Sequence, residues 1–178
     1  MSSYAFVRLI PAAGTAAVLF AGAAFAGPEL IDFPQGYQDD WVHYGTVNRD
    51  DRKQVVKLYA NDVALRSAKD GVPLDDGAVV VMDVYKAKLD DAEEPVTGPD
   101  GYFETGEFAF IAVMEKGEGW GEEYPEEIRN DGWEYAGFDP QTHERIERDY
   151  TGCFECHKPQ ADAAYMFTFD ALEAEAGG

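Results

Sequence analysis

Both cysteines of the chain and one of its three histidines fall within five consecutive residues, Cys153-Phe154-Glu155-Cys156-His157, in the stretch CFECHKPQ. Thiols add to carbon electrophiles and an imidazole ligates transition metals, so their close spacing points to a cofactor held by covalent and coordinate bonds together. Cys-x-x-Cys-His is the attachment signature of a c-type haem: the sulfurs form thioethers with the two vinyl groups, and the adjacent imidazole ligates iron from the proximal side. A helical turn across Cys153 and Cys156 would turn both sulfurs to one face with His157 beside them. The expected cofactor is one covalent haem c, bound through Cys153, Cys156 and His157. A structural zinc site normally takes four ligands, and His43 and His143 come with no second cysteine pair. A thioredoxin-like redox motif would follow a strand in a βαβ unit, and no such pattern precedes Gly152. A local Cys153–Cys156 disulfide is the plain alternative.

A haem raises the question of the sixth ligand. Met82, Met114 and Met166 are the thioether candidates, with His43 and His143 the remaining imidazoles. A buried methionine is more often core filler, so Met82 becomes a ligand only if its strand faces the haem. Both histidines read as surface or hydrogen-bonding residues. Arg66 and Arg129 are equal candidates for pairing with the haem propionates.

These residues need elements to position them. Residues 41–47 and 55–59 read as short strands, then Asn61 or Asp62 caps a helix that runs to about Lys69 and is closed by Gly71. Ala78–Tyr85 is β-branched and too short for a typical helix, which makes it a buried strand, and Glu107–Met114 is another. Residues 131–138 alternate large aromatics with small or polar side chains, the period of a half-exposed strand. The chain after Thr151 reads as helical, with Pro159 limiting the first piece. Strands in the middle flanked by short helices indicate an α+β fold with an antiparallel sheet.

The first 26 residues carry Arg8, an apolar Gly/Ala-rich run and Ala24-Phe25-Ala26, the pattern of a secretory signal cleaved near Ala26. Residues 27–178 then form one domain, placed in the periplasm or secreted. The formal charge of −21 argues against nucleic acid as a partner and reads first as a solvated acidic surface, with docking of a redox partner through a basic face as the alternative.

Five blocks, FPQGYQDDWVHYGTV, KLYANDVALRSAKDGVPLDDGAVVVMDVYKA, GYFETGEFAFIAVMEK, DGWEYAGF and CFECHKPQADAAYMFTF, in this order and spacing, resemble the cytochrome P-460 / cytochrome c′-beta family of exported mono-haem proteins. The resemblance implies an antiparallel sheet packed with helices, a homodimer, and His157 as proximal ligand. It also implies that hydroxylamine-oxidising members carry a haem-linked lysine where this chain has Met82, and a distal carboxylate where it has Ala112. Lys86 and Lys88 lie beyond the first position, and Glu115 has the wrong strand parity for the second. A distal pocket of Met82, Phe108, Phe110, Ala112 and Met114, with Val80 beside them, would be apolar. It would admit nitric oxide, carbon monoxide or peroxide, with hydroxylamine less suited, while Trp133 and Tyr135 would pack elsewhere in the core. The two functional expectations are a haem that binds or redox-transforms such molecules, and an electron carrier with His157 and Met82 as axial ligands.

Overall fold

The structure, a computed structural model, describes residues 30–122 and 124–178; the expected signal segment lies outside them. Five strands, β1 (Val42–Arg49), β2 (Gln54–Ala60), β3 (Val79–Ala87), β4 (Thr105–Lys116) and β5 (Trp133–Phe138), form one sheet in chain order, every neighbouring pair antiparallel. Among the described residues four short α-helices accompany it: α1 (Tyr37–Asp40), α2 (Asp62–Ala68), α3 (Thr151–His157) and α4 (Phe169–Gly177). The fold is therefore α+β. No helix among the described residues is long and apolar enough to cross a membrane.

Side chains alternate between the two faces of a strand, and both faces of this sheet are covered. On the front face Leu58, Val80, Val84, Met114, Trp133 and Tyr135 join one cluster with residues of α2, α3 and α4. On the back face Tyr59, Val81, Ile111, Val113 and Phe138 pack under Ile31, Tyr37 and Phe33. This double cover corrects the expectation for β5, all six residues of which are buried, Glu134 included. An alternating pattern signals a half-exposed strand only where one face meets water. Here α3 and its flanks lie over one face, and Phe33, 5.4 Å from Phe138, lies over the other.

The Asn61 cap holds as read. Its Oδ1 accepts from the Ala64 N–H at 2.9 Å and also from the Val79 N–H at 3.1 Å, while its Nδ2 donates to the Gly77 carbonyl at 2.8 Å. One side chain thus starts α2 and fixes the entry to β3. Helix α1 is anchored differently: the Tyr37 hydroxyl and Gln38 Nε2, the latter at 2.7 Å, both donate to Asp83, which is fully buried on the back face. Burial raises the Asp83 carboxyl above its ordinary range, against the opposing effect of those two bonds.

Candidate functional site

The three chemistry-bearing residues sit together on α3, which packs through Phe154 into the front-face cluster. Cys153 is half-buried and Cys156 exposed, and both thiols are free. His157 closes the helix. Its Nδ1 lies 2.6 Å from the Tyr165 carbonyl oxygen, which can only accept, so Nδ1 carries the proton and Nε2 keeps its lone pair. Burial holds the imidazole below its ordinary pKa, with the bond to Tyr165 opposing, and the neutral ring is the ligating form. The chain reaches this geometry by turning back after α3: a 3-10 helix (Lys158–Ala163) is followed by Ala164 and Tyr165, both at positive φ, and the turn points the Tyr165 carbonyl at the imidazole.

The ring is also hemmed by aromatics. Tyr135 lies 4.8 Å from it and Phe167 5.3 Å, centroid to centroid. Tyr135 is thus corrected from a remote core residue to a neighbour of His157, because the inward positions of β5 are Trp133, Tyr135 and Gly137, facing α3. Trp133 shares the front-face cluster and is 1% exposed.

Met82 and Ala112 are direct cross-strand partners in the β3–β4 ladder. Met82 and Phe110 are half-buried against the same front-face cluster that contains Phe154, and Cys153 packs against it too. Met114 and Val80 are buried in that cluster. Phe108 does not join them. It packs with the back-face cluster and stacks on Tyr85, centroids 4.4 Å apart at 18°. The cause is a β-bulge: Val84 pairs with Phe110 and Tyr85 with Phe108, which leaves Ala109 as an extra residue and reverses the side-chain parity before it. Glu115, half-buried, has its carboxyl raised by burial first and by the nearby Asp32 second. Its partner Val79 belongs to the back-face cluster, the side away from Met82.

The other candidates have different partners. Met166 is buried in the front-face cluster. His43 is exposed, 3.1 Å from the Thr46 hydroxyl, and His143 stacks on Phe33 at 4.0 Å. Arg66 lies 3.9 Å from Asp62, and Arg129 donates to the carbonyls of Tyr124 and Glu122. Of the arginines that the sequence did not single out, one contacts a thiol and a second lies within electrostatic range of the other. Arg148 Nη2 is 3.7 Å from Cys153 Sγ, and Arg49, held below its ordinary pKa by burial and then by Arg52, is within electrostatic reach of Cys156. Only Arg148, five residues before Cys153, offered a local sequence cue.

A family model described as Cytochrome P460 matches residues 34–168, which takes in all five strands, α3 and the turn beyond it. The chain belongs to the cytochrome P460 family. Membership implies a haem cofactor and a haem-binding c-type cytochrome. No individually curated protein matches the chain. The residues fit the group: two free thiols three positions apart, an imidazole with its Nδ1 proton fixed and Nε2 available, and an apolar sheet face across the same cluster. A bound haem would supply a redox-active iron and an open coordination position. What the chain itself provides is an imidazole held through the Tyr165 carbonyl and, at Met82 and Ala112, two apolar cross-strand partners.

Proposed function

We propose that this chain is an exported mono-haem cytochrome of the P460 family, with haem c attached through Cys153 and Cys156 and ligated by His157. The iron binds or redox-transforms a small molecule such as nitric oxide or peroxide. The observation that carries this reading is the His157 imidazole, neutral, with Nδ1 committed to the Tyr165 carbonyl, on the same helix as two free thiols. The Met82–Ala112 pair supports an apolar distal face with alanine, not a carboxylate, at the position opposite Met82. Loss of general-base assistance costs ~10²–10⁴-fold, which sets this chain apart from hydroxylamine oxidation. Periplasmic or secreted placement after cleavage near Ala26, a homodimer and a redox partner with a basic docking face complete the proposal.

The mass of the purified mature protein with its absorption spectrum is the first test. A covalent haem in the wild type, lost in Cys153→Ser/Cys156→Ser, is expected; a mass equal to the bare polypeptide refutes the reading. Nitric oxide and peroxide titrations follow, and failure of the ferrous and ferric protein to bind either would end the small-molecule role.

A second reading, electron transfer with Met82 as sixth ligand, rests on Met82 being half-buried against the front-face cluster that holds the attachment helix. A low-spin ferric spectrum with a methionine-to-iron charge-transfer band, abolished by Met82→Ala, would select it. A high-spin resting spectrum would reject it.

A further inference from the structure

Asn130 is 1% exposed, at the turn that leads into β5, and its carbonyl accepts the Trp133 N–H at 3.1 Å. Its side-chain Nδ2 donates twice: to the Tyr135 hydroxyl at 2.8 Å and to the Phe154 carbonyl at 3.2 Å. Both acceptors belong to neighbours of His157. The Tyr135 ring lies 4.8 Å from the imidazole, tilted by 50°, and 4.9 Å from Phe154. The Phe154 carbonyl, three residues before His157, also accepts the Lys158 N–H that ends α3. A carbonyl oxygen has two lone pairs, and this one uses both at the turn that presents the histidine. Asn130 Oδ1, by contrast, is buried without a hydrogen-bond partner. An unsatisfied buried acceptor is unfavourable, and an apolar side chain of similar size would avoid it. The amide therefore costs stability through one end while its other end ties two elements that bracket the imidazole.

We propose that Asn130 and Tyr135 are positioning residues for the proximal ligand. The Tyr165 carbonyl fixes the direction of Nδ1, and the Asn130–Tyr135 pair fixes how far the ring rocks about that bond. Together they set the azimuth and tilt of His157 toward a haem iron. This assignment rests on the haem reading above and adds to it the residues that tune the iron–imidazole bond.

The test uses haem-loaded wild type, Asn130→Leu, Tyr135→Phe and the double variant, each checked by mass for covalent haem. Resonance Raman spectroscopy of the ferrous proteins reads the iron–histidine stretching band. The band is expected to move and broaden in the same direction in both single variants, and the double variant should show less than the sum, as for two members of one linkage. Tyr135→Phe keeps the ring contact and loses only the hydroxyl, so it decides the matter even if Asn130→Leu fails to fold. Loss of thermal stability with an unchanged band would overturn the positioning role and leave both residues as packing. A wild-type chain without covalent haem would instead overturn the haem reading itself.

Discussion

Replacing Tyr150 by Phe tests how α3 is fastened to the sheet. Tyr150 immediately precedes α3, is buried, and its hydroxyl bridges two backbone groups: it accepts the Gly137 N–H at 2.7 Å and donates to the Ile146 carbonyl at 2.7 Å. β5 is an edge strand, so half of its N–H groups face away from β4 and need other partners. Gly137 finds its partner in the phenol. Phenylalanine fills the same space but removes both bonds. The partly exposed Ile146 carbonyl can turn to water, for a loss of ~1 kcal/mol, whereas the buried Gly137 N–H is left without an acceptor, for ~1–3 kcal/mol. The expected destabilisation is thus ~2–4 kcal/mol, or a fall in Tm of about 4–16 °C for a domain of this size. Urea unfolding followed by the fluorescence of buried Trp133 measures it, with the midpoint falling and the slope unchanged. A loss below ~0.5 kcal/mol, the level of a neutral surface change, would refute the bridge as a fastening.

Three further perturbations follow from the same structure. Asn61→Ala removes the α2 cap and the tie to β3 together, and should cost ~1–2 kcal/mol by chemical denaturation, with no measurable loss counting against the dual role. Gly132 has φ of +82°, and a Cβ there would stand 2.7 Å from the Gly117 carbonyl oxygen, so Gly132→Ala should destabilise by ~1–3 kcal/mol; a wild-type unfolding midpoint would contradict that close approach. The raised Asp83 carboxyl makes the native state hold a proton that the unfolded chain releases. Its contribution is therefore full below the ordinary aspartate value of 3.8 and is lost as pH rises through the native value. Asp83→Asn should flatten the fall in stability across that window, and parallel pH profiles for variant and wild type would exclude the assignment.

Local chemistry made much of the fold legible. β-branched runs gave β3 and β4, Asn61 and Gly71 bounded α2, and the Cys-x-x-Cys-His spacing lies on a helix. The resemblance aligned Met82 and Ala112 with the lysine and carboxylate positions of the hydroxylamine-oxidising members, and the β3–β4 register makes the two residues cross-strand partners. Phe108 escaped because the extra residue at Ala109 is defined only against the partner strand, and a shift of one residue exchanges the two faces. Tyr135 escaped for a related reason: its neighbourhood depends on α3 docking over β5, some twenty residues later. Helix α1 is four residues long and carries no capping side chain; what holds it is Asp83, far along the chain. Arg49 likewise comes within electrostatic range of Cys156 only through the tertiary fold.

The order of the strands also bears on how the site comes into being. Because the five strands pair strictly with their sequence neighbours, each can dock on the one before it across a single connection, a tight turn between β1 and β2 and longer segments between the others. Helix α3 follows all five strands in the chain. The last piece, α4, then reaches back to the beginning: it packs against α2 and β1, and Thr168 at its start lies 2.9 Å from the Tyr44 hydroxyl on β1. Helix α4 thus covers the α2 and β1 side of the front cluster, where Phe169, Leu172 and Ala176 are buried. Cutting the chain just before Thr168 should leave the strands paired but the front cluster without Phe169, Leu172 and Ala176, exposing that face of the sheet to water.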